Sequence, residues 1–65
     1  MGIYAVEVKY TDGSTSVWPA LHADSYDIAY ERVERVVTKQ GNTIVGAVVA
    51  SAREPENYTI YGEGV

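Results

Sequence analysis

The chain contains no cysteine and no phenylalanine, a single histidine, a single tryptophan and two prolines. Without cysteine there is no disulfide, no thiolate metal site and no sulfur nucleophile. One histidine cannot build a zinc site alone, and Ser14, Ser16, Ser25 and Ser51 have only that residue to draw on for a triad. His22 and Asp24 read instead as a joint residue and a helix cap. Phosphate loops are missing too: neither GxxxxGK[ST] nor GxGxxG occurs, and TDGSTS lacks the aspartate spacing of a calcium loop. Basic residues are scarce, five against nine acidic ones for a net charge of −4. That balance is the reverse of a free-standing nucleic-acid binder, so DNA or RNA is not an expected partner. Apolar runs are short. The longest, Ile44 to Ala50, falls well below the roughly 20 residues a membrane helix needs. The N-terminus alternates without a basic lead, and position 6 is Val rather than Ser or Thr, so neither a signal peptide nor myristoylation is expected. These absences predict a cytoplasmic protein without cofactor or metal that is not an enzyme.

What remains is a folded composition, 46% hydrophobic and 22% charged, which argues against disorder. Sixty-five residues make one domain, 1–65. A chain of this size buries only about 60% of the surface its unfolded form exposes. With no disulfide or metal to staple it, oligomerisation is the remaining common staple, and a homo-oligomer is expected.

Ile3 to Tyr10 alternates as a strand, with Tyr4, Val6, Val8 and Tyr10 in one apolar row. Asp12-Gly13 signals a two-residue hairpin turn, and Thr15 to Leu21 returns as the second strand. That turn predicts a register with Val8 facing Val17, Val6 facing Pro19 and Tyr4 facing Leu21. The other face then carries Ile3, Ala5, Glu7 and Lys9 with Ser16, Trp18, Ala20 and His22. Pro19 lacks an N–H, which assigns the second strand to a sheet edge. Asp24 is expected to open a helix whose stripe is Tyr26, Ala29, Tyr30, Val33, Val36 and Val37, closed by Gly41-Asn42. Thr43 to Ala52 reads as a strand, Tyr58 to Tyr61 as a short one, and residues 62–65 as a flexible tail. The expected fold class is α+β: a β-β-α-β-β chain with an antiparallel sheet of order 2-1-3-4 and one helix on one face.

One helix covers one side of such a sheet. The other side is expected to show Ile3, Ala5, Trp18, Ala20 and His22, joined by one face of the third strand, and an exposed apolar patch usually has a partner. Either Tyr58 or Tyr61 should also face outwards. The fourth strand is a second candidate interface, because an exposed strand edge can pair with a copy of itself. On the helix, Arg32, Arg35 and Lys39 lie three and four apart and could hold phosphates, with a tyrosine or Trp18 stacked on a base. The first reading of that stripe is a solvated flank with a Glu31–Arg35 pair, and phosphate binding is its alternative.

The layout from Ile3 to Ala52, a hairpin with an Asp-Gly turn, an Ala23-Asp24-Ser25 helix entry and a following strand, resembles the small acidic single-domain proteins encoded in bacteriophage genomes. That resemblance implies a non-enzymatic binding protein in a bacterial host, of the accessory or counter-defence kind. Such a protein would bind a host protein or, as an oligomer, sequester a nucleotide signal. No family site residue is carried over with it. A small structural dimerisation domain is the third reading.

Overall fold

The computed structural model describes residues 2–63. Four strands and one helix follow in the order β1 (Gly2–Tyr10), β2 (Thr15–Ala23), α1 (Tyr26–Lys39), β3 (Ile44–Ser51) and β4 (Tyr58–Gly62). The sheet is antiparallel throughout with order β2-β1-β3-β4, the expected α+β layout. β2 and β4 are its edges. The tail expected at 62–65 begins differently: Gly62 ends β4, and the Glu63 N–H reaches the Val45 carbonyl at 3.3 Å. Residues 64 and 65 lie outside the described residues.

The hairpin turn corrects the expected register. A type I′ turn needs two residues at positive φ, but only Gly13 has one, at 91°. Thr11, Asp12 and Gly13 form a three-residue loop. Gly13 N–H donates to the Tyr10 carbonyl at 3.0 Å, and Tyr10 N–H donates to the Ser14 carbonyl at 2.9 Å. The Asp12 carboxylate accepts from the Ser14 N–H at 2.9 Å and from its hydroxyl at 2.6 Å. These hydrogen bonds favour the ionised form and hold the Asp12 pKa below its ordinary value.

One extra loop residue exchanges the two faces of β2. Lys9 now faces Thr15, Val8 faces Ser16, Glu7 faces Val17 and Val6 faces Trp18. A bulge follows, in which Pro19 and Ala20 together stand opposite Ala5. It restores parity, so Leu21 faces Tyr4 and His22 faces Ile3, as expected. The bulge absorbs Pro19 on an edge strand, where a missing N–H leaves no ladder gap. The Trp18–Pro19 bond is trans.

The helix begins one residue later than expected. Ser25, in extended conformation, is the N-cap, and its hydroxyl accepts from the Ile28 N–H at 3.3 Å; Asp24 lies outside. Asp27 sits in the first turn and Lys39 in the last, each on the favourable end of the helix dipole. At the other end Gly41 N–H bonds Thr38 O and Asn42 N–H bonds Val37 O, a Schellman close. Ala29, Val33 and Val37 are buried against Val6, Val8, Ala47 and Val49 of the sheet, with Tyr10 and Ala23 completing the core. Tyr26 and Tyr30 flank this stripe as partly buried residues. Val36, expected within it, is 44% exposed. At 100° per residue it lies about 60° off the Val33 line, on the Arg32 flank.

Candidate functional site

The helix covers one side of the sheet. On the other side register alone fixes which side chains stand together. Ile3, Ala5, Glu7 and Lys9 of β1 share that face with Thr15, Val17 and His22 of β2. Val48 and Ala50 of β3 join them because they pair with Glu7 and Ala5. Tyr58 and Ile60 of β4 complete it, pairing with Ala50 and Val48. Val17 and Tyr58 are each 58% exposed and Ile60 is 55% exposed. A shallow apolar depression lies here, lined by Ala5, Glu7, Val17, Val48 and Ala50. An antiparallel sheet face open to water is normally polar, and this one is partly apolar, with Val17, Val48, Ile60 and Tyr58 beside Glu7, Lys9, Thr15 and His22.

Several expected site residues are found elsewhere. Trp18 does not face the open side. It stands on the helix side opposite Val6 and packs against the core, because the three-residue turn moved it there. Val17, expected under the helix, takes the outward position. Ala20 is exposed, but in the bulge rather than in the row. Of the two β4 tyrosines, Tyr58 faces out and Tyr61 faces the helix. Ile3, Ala5 and His22 are on the open side as expected. Val17 and Ile60 are the members that sequence reasoning missed. The signal available for Ile60 was its place two residues from Tyr58, on the same face of the strand by alternation.

Tyr61 has a structural occupation. Its ring stacks on Tyr30 with centroids 4.3 Å apart and planes 7° from parallel, and its hydroxyl donates to Asp27 at 2.5 Å. Burial, the Asp27 hydrogen bond and the Asp27 charge push its pKa up from 10.0 to about 12. Tyr30 is raised in the same direction, by burial first and then by Glu34, to which its hydroxyl donates at 3.2 Å. A phenol whose pKa is higher in the folded state lends stability that is complete below the unfolded value and is lost as pH rises through the folded one. Stability should therefore fall between about pH 10 and about pH 12. Urea midpoints measured over that range should show the fall, and Tyr61→Phe should flatten it.

The helix flank is not a prepared phosphate site. Arg35 pairs with Glu31 at 3.1 Å, and Arg32 donates to the His22 carbonyl at 3.3 Å. Lys39 lies in a shallow groove with Arg35, Glu31, Glu34 and Thr38, so the carboxylates there match the cations in number. A cleft of about 300 Å³ opens at the sheet end between Tyr4, Tyr26, His22, Ser51 and Arg53. The tilted rings of Tyr4 and Tyr26, centroids 4.9 Å apart, form its wall. Among the described residues no three of His, Cys, Asp and Glu come together as metal ligands, and no helix is long and apolar enough to cross a membrane.

Compared with models of known protein families, with curated proteins and with solved structures, the chain matches none. The fold and the site define a small α+β sheet protein with one partly apolar sheet face that no other element covers among the described residues.

Proposed function

We propose that the chain is a non-enzymatic binding module that works as a homo-oligomer, with the uncovered sheet face as its association surface. The observation that carries this reading is the outward row of Val17, Val48 and Ile60, two of them more than half exposed, beside Ala5, Ala50 and Tyr58. Water contact with these side chains is costly, and burying them against a partner recovers about 25 cal/mol for each Å². The catalytic alternative has no comparable support. The tyrosines with displaced pKa values are held by Asp27 and Glu34 in packing roles, and Asp12 serves its own turn. In the bacteriophage-accessory reading, the assembled module would take a host protein as its further partner.

The face is small. Strands about 4.8 Å apart with about 3.3 Å per residue give a flat footprint of roughly 400 Å². A standard stable interface uses roughly 800 Å² per partner, so the assembly should be weak and concentration-dependent. Sedimentation equilibrium should find mass above 7.1 kDa that dissociates on dilution through the tens of micromolar, as expected for about 6 kcal/mol of association energy. A clean monomer at several hundred micromolar would overturn the reading.

A further inference from the structure

The occupant of the open face can be argued from its register. Pairing across the sheet sets Val17, Glu7, Val48 and Ile60 in one transverse row. Two residues further along β1, the next row is Thr15, Lys9, Gly46 and Gly62. The first row is large apart from its one carboxylate. The second is small apart from its one ammonium. Among the described residues, Glu7 and Lys9 are the one carboxylate and the one ammonium that the strands present on this face, with His22 at its far end beside Ile3.

From this pattern we infer that the face is covered by a second copy of the chain, packed face to face about a two-fold axis that crosses β1 at Val8. The inference rests on the association reading above and adds its geometry. Such an axis turns the strands end for end and leaves each strand over its own copy. It lays the first row of one copy on the second row of the other. Val48 then meets the partner's Gly46, Ile60 meets the partner's Gly62, and Val17 meets the partner's Thr15. Of the two glycines Gly62 is exposed and can receive a large side chain, Ile60, as facing layers interdigitate; Gly46 is buried within its own chain and receives none. Gly62 is held as glycine independently: its φ is +61°, and a Cβ there would lie 2.5 Å from the Val45 carbonyl oxygen. Glu7 meets the partner's Lys9, and by symmetry Lys9 meets the partner's Glu7.

Charge selects this axis over its neighbour. An axis one row towards Ala5 would cover more of Ala50 and Tyr58, but it would press Glu7 against the partner's Ala5 and leave a carboxylate without a counterion. An unpaired charge at a dry interface costs more than the added apolar contact returns. A face with one acid and one base two positions apart is self-complementary under a two-fold, as isologous interfaces must be. Each copy carries −4, so a partner that meets the face with matched charge locally is favoured over simple collapse.

Charge exchange tests this. In sedimentation equilibrium Glu7→Lys and Lys9→Glu should each weaken association by at least about tenfold, by setting like charges opposite each other. The double exchange Glu7→Lys/Lys9→Glu should return it to within about threefold of the native chain. The sign for Glu7→Lys is decisive, because it changes the net charge from −4 to −2 and general repulsion alone would make association tighter. Both positions are exposed, so the fold should tolerate the changes, and far-ultraviolet circular dichroism checks this. An assembly unmoved by the single exchanges, or not restored by the double one, overturns the two-fold register while leaving the open face as association surface. A monomeric native chain overturns both.

Discussion

Trp18→Ala should lower the stability of the fold by about 2–3 kcal/mol and leave association untouched among the molecules that remain folded. The indole stands opposite Val6, on the side of the sheet that the helix covers, and packs against a core otherwise built from valine, alanine and tyrosine. Trp18 is the largest of the partly buried side chains around it, and no phenylalanine is available to fill a gap. Truncation loses the transfer energy of the ring and opens a cavity beneath Pro19 and the bulge. At roughly 0.05–0.15 kcal/mol per residue, a domain of this size holds only about 3–10 kcal/mol in all. The loss should therefore shift the melting temperature by about 10–20 °C. Thermal denaturation of both proteins, with sedimentation at a temperature where both are folded, separates the two effects. Weakened association with unchanged melting would show that Trp18 belongs to the outer face after all.

The location of Trp18 is also where sequence reasoning failed, for a definable physical reason. Periodicity in β1 and α1 assigned Val6, Val8, Ala29, Val33 and Val37 to the core correctly, because each segment has one clear period and one partner layer. Strand order followed from the turn signal, the prolines and the single helix. Register did not. Asp12-Gly13 fits a two-residue loop in which both residues take positive φ, and it fits equally a three-residue loop in which Gly13 alone does. Asp12 decides for the second by bonding Ser14 with its own side chain. A difference of one residue in the loop then inverts Val17 and Trp18. Beyond the bulge at Pro19 and Ala20 the inversion cancels, which is why Leu21, His22, Ile3 and Tyr4 fell on the expected sides. The existence of an apolar open face was thus legible in the sequence, while its membership depended on two irregularities that cost no change in composition. β4 illustrates the remaining limit: Tyr58 and Tyr61 differ in face by strand alternation, but which one turned outwards depended on pairing with Ala50 and Ala47.

Val17→Asp should carry the largest effect on assembly, a loss of about a hundredfold or more, well above its cost of up to about 1 kcal/mol to the folded monomer. Val17 is more than half exposed, so the monomer loses little packing by its removal. The new carboxylate does stand directly across from Glu7 in the same sheet, which costs the monomer up to about 1 kcal/mol. In the assembly the same change removes an apolar contact and adds a carboxylate to a closing interface, where desolvation of an unpaired charge adds to the lost burial. It also adds one negative charge to each of two copies that already repel. Val17→Thr keeps the branched shape and the strand preference, and should cost only the apolar part, about tenfold. The position further separates the two surfaces through which this sheet could associate. β2 and β4 are opposite edges of the sheet, three strand spacings or about 14 Å apart. Copies joined by pairing of their β4 edges would leave Val17 in water in both states, and Val17→Asp would not disturb them. Sedimentation of the two variants beside the native chain thus reads out geometry as well as strength. Loss in the order Asp, then Thr, places the contact on the face. Indifference to both moves it to the β4 edge, where Tyr58 to Tyr61 offer an uncharged strand without proline, the feature that the β2 edge avoids with Pro19 and its bulge.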